Sequence, residues 1–168
     1  MSEQDWVGFV ERFRATLERA ADRLRRTPER HTELRSAPGK WSRKEILGHL
    51  VDSASNNHQR FVRARIQPSL VFPGYDQDEW VAIEEWQQVP WSEIVELWYL
   101  VNLQIARLML TTPEEERTRM RREHNLHELA YREHAADAPA TLEWFQRDYV
   151  LHLERHLRQV GIAHVVAG

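Results

Sequence analysis

At 168 residues the chain has the length of one domain, 1–168, able to bury a core without disulfide or metal staples. With 42% hydrophobic and 29% charged residues it has the composition of a soluble globular protein, and a net charge of -3 with arginines interspersed among acids argues against a nucleic-acid surface. There is no cysteine, which excludes disulfides, thiolate metal sites and a cysteine nucleophile on this chain. No apolar run of signal-peptide type opens the sequence and none reaches the ~18 residues of a membrane span, so a cytoplasmic protein with no membrane partner is expected.

Trp6, Phe9, Phe13, Leu17, Ala20 and Leu24 recur at spacings of three and four, which predicts a bundle helix from about Gln4 to Arg26, stopped by Thr27 and Pro28. A connection with Pro38 and Gly39 follows. Ser42 and Glu45 then stand as S-x-x-E, a capping box for a second helix running to about Ile66. Its inward candidates, Ile46, His49, Leu50, Ser53, Asn57 and Phe61, make a more polar seam than those of the other helices. Buried polar groups need partners or a ligand.

From Pro68 to Pro90 the periodicity lapses, apart from a short helix expected within Asp76–Trp86, whose Trp80 and Trp86 are candidates to cover a pocket mouth. Ser92 is the expected cap of a third helix carrying Ile94, Trp98, Val101, Ile105 and Leu108; Trp6 and Trp98 are read as core. A second long connection lies between Pro113 and Pro139, with a helical turn expected within Leu126–Arg132. The fourth helix bears Leu142, Phe145, Tyr149, Leu153, Leu157 and Val160 and ends near Gly161. Four seams with two long connections predict an all-α four-helix bundle.

His152 and His156 lie four residues apart within that last stripe, so their imidazoles converge about one turn from each other on an inward face. His49, on the inward side of the second helix, is the third candidate ligand. Three neutral imidazoles suit zinc, nickel, manganese or iron, and three protein ligands leave positions for water or substrate where a structural zinc site closes with four. Ser53, Asn56 and Arg60 fall within about 40° of His49 on a helical wheel, as lining of one cavity or as residues that hydrogen-bond neighbouring helices or solvent. Asp148 and Glu154 are candidate partners for the histidine N–H groups, or surface charges. His124, His127 and His134 form a rival cluster expected to be in solvent; His58 is expected to be exposed, and His31 and His164 are given no role.

The stretches GKWSRKEILGHL at Gly39, DSASNNHQRF at Asp52, FPGYDQDEW at Phe72 and DYVLHLERHL at Asp148 resemble the DinB-like superfamily of damage-inducible and YfiT-type four-helix bundles. The most specific part is one histidine after W-S-x-x-E-x-L-x-H and two in a late H-x-x-x-H. The resemblance implies an up-up-down-down bundle with two long crossover connections and a divalent metal, zinc or nickel ahead of manganese or iron, held by His49, His152 and His156. It places Ser53 and Asn56 at family polar positions and implies a homodimer. Some members resemble metal-dependent transferases that join a low-molecular-weight thiol to an electrophile, and others are described as hydrolases. With no cysteine on the chain, the nucleophile is then a substrate thiol or a water. The alternative expectation is a non-catalytic small-molecule-binding bundle with a structural metal or none.

Overall fold

Helices begin where side chains satisfy the free amides of a first turn. In the computed structural model, which describes residues 2–162, Ser2 and Asp5 form a capping box at the start of α1 (Glu3–Arg25). Ser42 and Glu45 form the expected one at the start of α2 (Arg43–Ala64), and Asp76 caps the short α3 (Gln77–Ile83). α4 (Trp91–Leu110) departs from expectation, because Ser92 lies inside it and no side chain of its own segment caps it. The Trp91 amide instead donates to Glu29 Oε1 at 3.2 Å, a carboxylate brought by the first connection. α5 (Glu114–Thr118) was not expected from the sequence; α6 (Leu126–Leu129) is the predicted turn. Thr141 caps α7 (Leu142–Gln159), and the chain turns away at Gly161 with φ +94°.

Most residues of the predicted seams enter the core, with Phe9, Ile46, Val101 and Leu108 half-buried against it. Trp6, Phe13, Leu17, Leu24, Phe61, Ile94, Trp98, Phe145, Tyr149 and Leu153 are all buried, and Phe61 meets Phe145 and Tyr149 edge-on with centroids 5.5 and 5.8 Å apart. Among the described residues there is no strand, only isolated bridges such as Leu70 to His124 and Arg121 to Ala140. No helix among them is long and apolar enough to cross a membrane.

Contacts between helix ends give the directions. Trp91 Nε1 donates to Leu24 O at 2.8 Å and Trp6 Nε1 to Met109 O at 3.1 Å, so α1 and α4 are antiparallel. Lys44 Nζ donates to Glu29 Oε1 at 2.7 Å, the oxygen that also receives the Trp91 amide, so α2 and α4 start at the same end and run parallel. The contacts of His49 with His152 and of Phe61 with Phe145 make α7 antiparallel to α2. The four long helices therefore run up, down, down, up, which corrects the implied up-up-down-down order.

The reason lies in the connections. Residues 26–42 fold back on the end they left, with the Lys44 amide on Thr32 O at 3.1 Å, so α2 starts beside the end of α1. Residues 65–90 cross the length of the bundle. Residues 111–141 leave from and return to one end, where Arg117 Nη2 donates to Glu3 Oε2 at 2.7 Å and Arg121 exchanges backbone bonds with Ala140. One of the two long connections is thus a crossover and the other an excursion over the side of the bundle. The four-helix all-α architecture itself stands as expected.

Candidate metal centre

The second turn of α2 is held from outside by a tryptophan. A Cβ on Gly48 would fall 2.1 Å from Trp86 Cγ, so only glycine lets the indole lie against the helix there. Trp86 Nε1 donates to Asp52 Oδ2 at 3.0 Å, one turn further along the same face. Burial raises the Asp52 carboxyl to about 6 against the lowering effect of that bond. Trp86 is therefore a buried brace rather than part of a pocket mouth. Trp80 is half-buried against Tyr75, with centroids 5.0 Å apart.

With Gly48 and Asp52 turned to Trp86, His49 faces α7. Its Nε2 lies 3.4 Å from His152 Nε2, and the rings of His49, His152 and His156 stand with centroids 4.5 to 5.4 Å apart. One nitrogen from each falls within 4.8 Å of the others. Burial first, and then the charge of His156, lowers His49 to about 4; burial followed by the charges of His156 and His49 lowers His152 to about 3. Burial also lowers His156, against the raising effect of Gln159. All three are neutral at physiological pH, the state in which imidazole offers a lone pair.

The donor set fits a divalent transition metal on two further observations. His156 Nδ1 donates to Gln159 Oε1 at 2.8 Å, which leaves Nε2 unprotonated. His49 Nδ1 is buried with no protein partner, so hydrogen bonding within the protein does not satisfy the cluster.

Beside His49 and His152 opens a cavity of about 370 Å³, near the lower end of the ~300–1,000 Å³ of small-molecule sites. Ser53, Asn57 and Arg60 line it from α2, Phe145, Asp148 and Tyr149 from α7, Tyr75 from the crossover and residues 128–131 from the second connection. Of the three predicted lining residues, Ser53 and Arg60 are there and Asn56 is not. Asn56 turns its amide back onto Asp52 O at 2.9 Å, and Asn57 takes the place, because the cavity is centred to the Ser53 side of His49. A second depression, of about 600 Å³, lies on the side of His156 and is lined by Lys40, Trp41, Asp78 and Gln159 among others.

No protein-family model matches the chain. A protein of Oceanobacillus iheyensis named "Putative metal-dependent hydrolase" is 24% identical over 116 residues, 69% of this chain. The match spans 64% of that relative's length. A solved structure of YfiT from Bacillus subtilis, described as "a probable metal-dependent hydrolase with an unusual four-helix bundle topology", superposes over 96% of this chain and 86% of its own with a TM-score of 0.70. The chain has the four-helix-bundle fold of YfiT. At 18% sequence identity the likeness to YfiT is one of fold.

In this YfiT-like bundle the other expected histidine partners serve elsewhere. Asp148 accepts from the amides of Tyr131 and Arg132 at 2.7 and 2.9 Å and from Arg132 Nε at 3.0 Å, so it pins the second connection over the cavity instead of holding a histidine. Glu154 is half-buried, and burial raises its carboxyl; no hydrogen bond to a histidine is present among the described residues. Gln159, three residues past His156, was missed. Its spacing of one turn was the available signal.

The rival histidine cluster is a structural pin. His124 is buried, against expectation, with Nε2 donating to Ala138 O at 2.7 Å and Nδ1 accepting from the Leu126 amide at 3.3 Å. Both its nitrogens are committed. His134 packs edge-on against Trp144 at 4.4 Å, and the only histidine group among the described residues with converging ligand atoms is His49, His152 and His156. His58 is half-buried rather than exposed, His31 is exposed, and His164 lies outside the described residues.

Proposed function

We propose that the protein is a metal-dependent enzyme acting on a small molecule, with His49, His152 and His156 as ligands of a divalent transition-metal ion, zinc or nickel ahead of manganese or iron. The observation that carries this reading is the convergence of three neutral imidazoles, two of which, His49 and His152, line a cavity of about 370 Å³. Three protein ligands leave exchangeable positions, which suits chemistry better than a structural role. A bound divalent ion supplies Lewis acidity, lowering the pKa of the water or thiol it holds.

The chain's own residues bind and orient. Gln159 holds His156 in one tautomer, and Asp148 fixes the 131–132 wall. Phe145 and Tyr149 give the cavity an apolar side, and the hydroxyls of Ser53 and Tyr75 are donors along its polar side. Hydrolysis is the first form of the reaction, in keeping with the names that the two similar proteins carry.

One observation favours a second form, transfer of a low-molecular-weight thiol to an electrophile. The histidines stand between two openings, the cavity beside His49 and His152 and the depression beside His156, which would give each of two substrates its own approach. The homodimer belongs to the same proposal and is read by light scattering on the eluted protein.

The test has two steps. Protein purified without a histidine tag should hold about one metal per chain, lost in His152→Ala; unchanged metal in that variant removes His152 as a ligand. A panel of chromogenic esters, amides and electrophiles, each with and without small thiols, then separates the forms. Thiol-independent turnover supports the hydrolase and thiol-dependent turnover the transferase. Stoichiometric metal with neither would leave a binding bundle.

A further inference from the structure

We propose that the cavity beside the histidines takes a small organic anion and that Arg60 seats its carboxylate or phosphate. This rests on reading the cavity as the substrate site. It adds the substrate's charge and the residue that selects it.

Three arginines are buried among the described residues, and two of them are ion-paired. Arg117 lies between Glu3 and Glu143, and Arg121 pairs with Glu116 at 3.2 Å. Arg60, only 5% exposed, has no carboxylate within salt-bridge distance among the described residues. Burying a cation without a counter-ion is costly, and an arginine stays charged under that cost instead of neutralising. Such a charge is retained where an anion arrives.

The acids that share the cavity do not supply the counter-charge. Asp148 is saturated by the Tyr131 and Arg132 amides and by Arg132 Nε, and Glu128 faces outward, beside His127 and the Asn125 amide. What holds Arg60 is neutral. Its Nη2 donates to Pro73 O at 2.8 Å and its Nη1 to Asn57 Oδ1 at 3.5 Å, with the Tyr75 ring 5.9 Å away. These contacts orient the guanidinium from the side of α2 and the crossover while engaging two of its five N–H donors. The others remain for a ligand in the cavity that Arg60 lines, where a planar fork meets a carboxylate or phosphate with two parallel bonds. Tyr75 lines the same cavity beside it, and its hydroxyl is a further polar contact.

The experiment is calorimetric titration of the metal-depleted protein near neutral pH with 4-nitrobenzoate, phenyl phosphate and the neutral 4-nitrobenzamide. At least one anion should bind about tenfold or more tightly than the amide, and which anion does so tells carboxylate from phosphate. Arg60→Gln should remove that preference while leaving the metal content of the undepleted protein unchanged, and Arg60→Lys should keep part of it. Equal binding of 4-nitrobenzoate, phenyl phosphate and amide, no binding of either anion, or an undiminished preference in Arg60→Gln overturns the proposal; if Arg60→Gln fails to fold, an undiminished preference in Arg60→Lys, which keeps the charge and loses the fork, does so. A wild-type protein that holds no metal but shows the Arg60-dependent preference would sink the metal reading and leave this one standing.

Discussion

His156 differs from the other two histidines in that its proton is placed by a neighbour. The bond to Gln159 Oε1 commits Nδ1 and presents Nε2, the arrangement that raises ligand basicity and orients a metal-binding ring. Gln159→Leu should therefore weaken metal retention by about 10–100-fold in a chelator competition, with an unchanged far-ultraviolet spectrum. A variant that retains metal as the wild type does would show that Gln159 plays no part. At this scale the sequence was readable as far as helical geometry reaches. It put His49, Ser53 and Arg60 on one side of α2, but the choice between Asn56 and Asn57 depended on which of them a backbone carbonyl captured.

Among the elements, α2 depends most on what packs against it. Its first turn is anchored by Lys44, buried and bonded to Glu29 and Glu33, and its second by Trp86 against Gly48. Gly48→Ala drives a methyl into the Trp86 ring and should destabilise the protein by ~1–3 kcal/mol, read as a lower urea midpoint with an unchanged slope. An unaffected midpoint would mean that the indole is free to move. Ser42 and Glu45 were recognisable because a capping box is local in sequence. The cap of α4 was not, since Glu29 reaches Trp91 across 62 residues.

For the whole molecule, the histidine cluster couples stability to pH. His49 and His152 are held at about 4 and about 3, below the ordinary 6.5, so the unfolded chain binds more protons than the folded one once the pH falls below about 6.5. Their contribution is complete above that pH and is lost as the pH falls towards 4 and then 3. Asp52, raised to about 6 from 3.8, acts in the opposite direction between those values. Two groups against one leave a net loss. The melting temperature of the metal-depleted protein should fall between pH 6.5 and 4, and more shallowly in His152→Gln; a flat profile over that range contradicts the burial of the cluster as neutral rings.

What the sequence determined by itself was periodic or local. Seams at spacings of three and four, two boundary signals at Ser42 and Gly161, and the i, i+4 pair His152 and His156 all follow from the 3.6-residue turn, and with them the four-helix class. The tertiary structure alone decided the helix directions, because whether 17 residues fold back or cross depends on Lys44 finding Glu29 and Thr32 and not on their number. It alone made His124 a buried pin, through carbonyl and amide partners on either side of it in a segment without periodicity. The sequence set Arg60 on the His49 side of α2 but could not show that it is buried unpaired, since the lack of a counter-ion is a property of the space around a side chain.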